Sequence, residues 1–180
     1  MITKSKLTTV LVACIVSIIM LEACKKEKEV ETIVPEVPVT DSALYEMAKT
    51  TNGYVWYKHT NALLKKSAGS GHTPTYLRTR LNSIAASKLD NTGKVMLGSI
   101  FPEGSLILKE LHSDSVTLVR YVIMYKKTRD VNADANGWLW AYINPDGKTA
   151  ISIAEKGAQC ISCHAQSGNI NNILMNQAFP

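Results

Sequence analysis

Short apolar runs bounded by turn signals recur from Tyr76 onward, and the first of them alternates apolar and polar positions with period two. Tyr76 to Leu81 sets Leu77, Thr79 and Leu81 against Arg78 and Arg80, the pattern of a strand with one buried face. Ser105 to Leu111, Val116 to Lys127, Trp138 to Ile143 and Lys148 to Ala154 read as further strands. Turn signals separate them: Phe101-Pro102-Glu103-Gly104, His112 to Ser115, Thr128 to Asn136, and Asn144-Pro145-Asp146-Gly147. Helical spacing is confined to the flanks. Leu44, Tyr45, Met47 and Ala48 follow Asp41 and Ser42, either of which can cap a helix, and Asn52-Gly53 ends it. Tyr54 to Lys58 is short and aromatic and fits a strand or a helix start. Ser67 to Thr73 carries Gly69 and Gly71 and reads as a loop, and Asn82 caps a small helix from Ser83 to Leu89. A short amphipathic tail ends the chain. The expected class is α+β: mainly antiparallel sheet with flanking helices and a C-terminal Cys-x-x-Cys-His segment.

The first forty residues follow a different pattern. Lys4 and Lys6 precede an apolar stretch, Leu7 to Met20, too short to span a bilayer comfortably and suited to a secretory signal. It ends at Leu21-Glu22-Ala23-Cys24, similar to a bacterial lipoprotein cleavage box. On this reading residues 1–23 are removed, Cys24 is lipidated, and 24–40 form a tether. The alternating charges of Lys25 to Glu29 and the prolines Pro35 and Pro38 favour an extended chain there. The domain, 41–180, is then exported and lipid-anchored to a bacterial envelope membrane, outside the cytoplasm. The formal charge of +5 is mildly basic and unclustered, which gives no case for nucleic acid.

Four cysteines occur. With Cys14 in the signal and Cys24 lipidated, Cys160 and Cys163 remain for chemistry. Cys160-Ile161-Ser162-Cys163-His164 has the attachment spacing of a c-type haem. Two thiols add to the vinyl groups, and the adjacent imidazole coordinates iron from one face. On a helical turn, positions three and four apart share a face, so all three side chains reach one planar ring. Zinc and redox chemistry also use Cys-x-x-Cys. A zinc site would need further ligands, and there is no second Cys-x-x-Cys. A thioredoxin-like site would need a βαβ unit around the motif, and none follows it.

The motif lies late in the chain. Small electron-transfer cytochromes carry it near the start and draw an axial methionine from far downstream. Met175 lies too close to His164 in sequence to cross easily to the opposite haem face. The distal side must instead be built by the preceding strands, which leaves room for an open or weakly occupied sixth position where small ligands bind and react; an electron-transfer cytochrome c is the alternative.

Several segments together resemble the cytochrome P-460 family. They are Phe101-Pro102-Glu103-Gly104-Ser105, Leu108-Lys109-Glu110, Met124-Tyr125-Lys126-Lys127, Gly137-Trp138-Leu139-Trp140 and Cys160 to His164, with His72 and Arg80-Leu81-Asn82 also fitting. The likeness runs from about Tyr54 to the end. One departure is Asn171-Asn172, where an acidic residue is the family pattern. The resemblance implies a β-rich haem domain, often a homodimer, with mostly one-sided axial ligation. It includes enzymes in which a lysine is cross-linked to the haem and hydroxylamine is oxidised. It also includes cytochrome c′-beta, whose apolar pocket binds gases such as nitric oxide. A redox partner protein would serve the enzymes.

By motif position Lys109 is the first candidate for a catalytic lysine. In a strand it shares a face with Ile107 and Leu111, an unusual setting for an ammonium. Lys126, alternating with Val122 and Met124, is second; both can instead reach water along their stems. Glu155, five residues before Cys160, is a candidate base, with a solvated loop carboxylate as the alternative. Trp56, Trp138, Trp140, Tyr121 and Phe101 could wall a haem or simply fill a core. His59, His72 and His112 are alternative sixth ligands or else surface and capping residues.

Overall fold

The computed structural model describes residues 37–50, 52–67 and 70–178. The signal-like segment and Cys24 lie outside these residues. Seven strands form one antiparallel sheet: β1 (Val55–Trp56), β2 (Leu64–Lys65), β3 (Tyr76–Leu81), β4 (Leu106–His112), β5 (Leu118–Lys126), β6 (Trp138–Ile143) and β7 (Thr149–Ile151). The order is β1-β3-β4-β5-β6-β7, and β2 also pairs with β3. Among the described residues four short helices accompany it: α1 (Asp41–Lys49), α2 (Ser83–Ala86), α3 (Ile161–His164) and α4 (Met175–Ala178). The fold is α+β. No helix among the described residues is long and apolar enough to cross a membrane.

Strand alternation divides the sheet into two differently packed faces. On one, Leu106, Leu108, Ile123, Leu139, Ala141 and Ile143 meet Leu44 and Ala48 of α1. A nine-residue helix is too short to be stable alone, so burial of this i, i+4 pair holds α1 in place. The other face carries Leu81, Ile107, Met124, Trp138 and Trp140, which pack against Phe101, Cys160, Ile170, Ile173 and Met175. The C-terminal segment therefore lies on the second face. Register lines up Thr79, Lys109, Val122 and Tyr142 as one rung across β3 to β6.

Several boundaries differ from the sequence reading. Thr40 caps α1, its hydroxyl accepting from Ala43 N at 3.1 Å. Asp41 instead accepts from Ser152 Oγ at 2.7 Å and Ile153 N at 3.0 Å, tying the start of α1 to the end of β7. Asn82 does cap α2, but that helix stops at Ala86 rather than Leu89. The last strand stops at Ile151, and a 3-10 turn, Ile153–Glu155, follows it. His112 is the last residue of β4, not a turn residue.

Buried charge is concentrated on the α1 side. The Arg80 guanidinium donates to both Glu110 and the carbonyl of Ala48, and Arg78 Nε also donates to Glu110. Arg80 is 1 % exposed and Glu110 4 %, so each neutralises a charge that would otherwise be costly to bury.

Candidate functional site

Gly157 prepares the Cys-x-x-Cys-His segment. Its φ is +71°, a left-handed value. A Cβ there would lie 2.5 Å from Trp140 Cδ1, so only glycine lets the backbone pass this close to the indole. The Gly157 carbonyl then accepts from Cys160 N at 2.8 Å and Ile161 N at 3.0 Å, which starts the turn into α3. His164 N donates to Cys160 O at 3.1 Å, placing the imidazole one turn beyond the first thiol. Neither cysteine is in a disulfide; Cys160 is buried and Cys163 exposed.

His164 is oriented from two sides. Its Nδ1 lies 2.7 Å from the carbonyl oxygen of Asn172, so Nδ1–H is the donor and Nε2 carries the lone pair. Trp140 meets the ring edge-on, centroids 4.8 Å apart, and is itself held by Nε1 donating to Asp134 at 2.8 Å. Asn171 and Asn172 both adopt left-handed backbone, which asparagine tolerates better than most residues, and the turn they make presents that carbonyl. Asn171 Oδ1 also accepts from Phe101 N at 3.0 Å. Asn176 closes the segment, accepting from Val95 N at 3.1 Å and donating to Val95 O at 2.6 Å. Burial, with a smaller contribution from the Lys109 charge, lowers His164 to about 4, so the imidazole is neutral at pH 7 and able to bind a metal.

The thiols and His164 open onto a cleft of about 670 Å³, counting its mouth. Its other walls include Ser70, Gly71, His72, Lys109, Tyr142, Leu174 and Met175. A smaller apolar recess of about 320 Å³ continues from it, past Lys109 and His164, to Ile107, Val122, Met124 and Ile173. Sheet register delivers Lys109 and Tyr142 to this cleft from two strands on either side of Val122. His72 comes from the loop before β3. Its Nε2 lies 3.1 Å from Lys109 Nζ and its Nδ1 2.8 Å from the Tyr142 hydroxyl. Burial lowers the Lys109 ammonium to about 8. Burial first, then the Lys109 charge, pushes His72 far below its ordinary range, and burial raises Tyr142.

The cleft thus brings together Cys160, Cys163, His164 and Lys109. It does not include Glu155, which is exposed. One Glu155 oxygen accepts from Ser152 N at 3.2 Å in a capping box, and the other accepts from Gln159 Nε2 at 2.7 Å. Lys126 donates to the Asn136 carbonyl and lies over the Trp138 ring, away from the cleft. Phe101, Trp138 and Trp140 are core residues behind the cleft wall. Tyr121 packs on the α1 side, and Trp56 lies against Arg78 and Arg80. His59 is exposed, and His112 is buried on the α1 side beside Glu110 rather than at the surface. Of the three further histidines only His72 reaches the cleft. Tyr142 is a wall residue that the sequence reading missed, although its alternation with Trp138 and Trp140 placed it on their face.

No protein-family model and no curated protein matches the chain. Among the described residues no group of three His, Cys, Asp or Glu side chains is placed to hold a metal ion alone. A haem iron needs only one protein ligand when the ring supplies four nitrogens. The residues fit such a group: two unpaired thiols and a neutral imidazole with its metal-binding nitrogen free share one cleft with an apolar recess. Burial pushes the Cys160 thiol up to about 11, the reverse of the lowered value that makes a redox dithiol reactive.

Proposed function

We propose that this chain is a c-type haem protein of the cell envelope, of the kind the cytochrome P-460 resemblance implies, with an open ligand position in its cleft. Cys160 and Cys163 attach the ring, and His164 Nε2 coordinates the iron. The haem supplies a centre that binds small molecules such as nitric oxide or hydroxylamine and exchanges electrons. The observation that carries this reading is the hydrogen bond from His164 Nδ1 to Asn172 O, which fixes the tautomer and leaves Nε2 free.

The chain's own residues shape what enters. Ile107, Val122, Met124 and Leu174 give an apolar recess suited to an uncharged diatomic. Lys109 places one amine on that wall, with its pKa lowered by burial to about 8, near physiological pH. A group with this pKa can hold or give up a proton at little cost, as a general acid or base must. That observation favours a second reading, conversion of hydroxylamine or a related nitrogen compound, with Lys109 also the residue that would cross-link to the ring. Glu155, engaged in its capping box, is a weaker candidate for the base.

Optical spectra of the reduced protein, with and without carbon monoxide, test the proposal. A five-coordinate ferrous haem that binds carbon monoxide is the expected result. A six-coordinate low-spin haem indifferent to carbon monoxide would make the protein an electron carrier instead. A Soret band shifted strongly to the red on reduction would mark the lysine cross-link and favour the enzyme.

A further inference from the structure

A second cavity of about 450 Å³ lies on the far side of the cleft wall, with Thr73 and Arg120 among its lining residues. Gly71, His72 and Tyr142 line both spaces, whereas Lys109 lines only the cleft and its recess. The partition therefore contains a hydrogen-bonded chain in which Lys109 borders the cleft side, whereas His72 and Tyr142 border both spaces. Tyr142 Oη is 2.8 Å from His72 Nδ1, and His72 Nε2 is 3.1 Å from Lys109 Nζ.

We propose that Tyr142, His72 and Lys109 form a proton relay between this outer cavity and the cleft. The inference rests on the reading that the cleft holds a ligand whose chemistry takes up or releases protons. A neutral imidazole has one N–H and one lone pair, so the two hydrogen bonds must run in the same sense. Either Tyr142 donates to Nδ1 and Nε2–H donates to a neutral Lys109, or the Lys109 ammonium donates to Nε2 and Nδ1–H donates to Tyr142. Inward transfer converts the first arrangement into the second. Tyr142 gives its proton to Nδ1, the Nε2 proton passes to the Lys109 amine, and the phenolate recovers a proton from solvent in the outer cavity. One proton enters at the oxygen, one arrives at the nitrogen, and no electrons move. Outward transfer is the reverse.

The surroundings keep the imidazole neutral. Burial first, and then the charges of Lys109, His164 and Lys66, disfavour a positive charge on His72. Lys66 also fixes the loop by donating to the His72 carbonyl at 2.7 Å. Tyr142 faces Arg120, whose guanidinium carbon lies 5.9 Å from its ring centroid, as well as the two cysteines.

Long-range nitrogen–proton spectra test the relay directly. The sample is the full chain, haem-loaded, reduced and carbon monoxide-bound so that it is diamagnetic, with its histidines labelled. It is followed from about pH 6 to about pH 10, a range that brackets the lowered Lys109 value of about 8. His72 is expected to stay neutral while its proton moves from Nδ1 to Nε2 as Lys109 loses its charge. Lys109→Met should abolish the movement, and Tyr142→Phe should hold the proton on Nδ1 while Lys109 is charged. An imidazolium signal from His72 in this range, or a tautomer that ignores pH in the unmodified protein, overturns the relay. So does a pH-driven swap that survives Lys109→Met. Haem content, read optically from the same sample, tests the reading of the cleft separately, because the His72 spectra can also be recorded on an unloaded, diamagnetic chain.

Discussion

Lys109 and Glu110 are neighbours on β4, yet their side chains leave the strand on opposite faces and find opposite surroundings. Glu110 meets Arg78 and Arg80, and Arg80 is further held by the Ala48 carbonyl. Among the described residues no carboxylate pairs with Lys109; its amine contacts the His72 imidazole and looks into a cleft. A charge buried with partners supports the fold, whereas one left without an opposite charge is tuned toward neutrality and available for chemistry. The two faces of one sheet thus divide the work: the α1 side holds the structure, and the other side holds the site.

Removing each neighbour sharpens the contrast. Glu110→Ala leaves Arg80 buried without its counter-charge and should cost about 3–5 kcal/mol in urea unfolding. Lys109→Met should leave stability at neutral pH unchanged or raised, because it replaces a buried amine with an apolar side chain of similar length. Equal losses from both variants would break the comparison.

The next effect is one of pH. Burial holds folded Lys109 near 8 against an ordinary 10.5, so between these values the unfolded chain binds the extra proton. Stability of the haem-free chain should therefore rise with pH across that window. Below about pH 8 both states are protonated and the full penalty of burying the charge applies. The upper bound is on the order of 3 kcal/mol, reduced by whatever water the cleft admits. Lys109→Met should flatten this part of the profile, and an unchanged slope would place its origin elsewhere.

A smaller effect concerns the clasp beneath His164. Asn176→Ala removes the two hydrogen bonds to Val95 and the one from the Tyr57 hydroxyl at 3.3 Å. A loss of about 1–2 kcal/mol is expected. Hydrogen exchange should rise first in the segment around Asn172, while Leu106 and Leu108 on the α1 side stay protected.

Apolar runs between turn signals made the strands legible. Tyr76–Leu81 falls where its alternation puts it, Trp138–Ile143 where an apolar run lies between turn signals, and the face shared by Ile107, Lys109 and Leu111 follows from strand geometry. Register was not legible. That Lys109, Val122 and Tyr142 form one rung depends on how three strands pair. The contacts of His72 reach residues 37 and 70 positions away, across loops with no local signal. Glu155 is different, because its destination could have been read: Ser152-x-x-Glu155 is the spacing of a capping box, and the carboxylate is used there. The aromatics illustrate a third limit. Phe101 and Trp138 were candidates for a haem wall, but large rings fill the interior of the second face, and the smaller Val122 and Leu174 border the recess.

Mass spectrometry of the proteolytic peptide spanning Cys160 to His164 tests the central claim most directly. The protein should be exported from a host equipped for haem attachment. The peptide is predicted to carry the mass of one haem joined through both thiols, and Cys163→Ala should lose the normal two-bond attachment. A wild-type peptide recovered with two free thiols, or with a disulfide between them, would contradict the account.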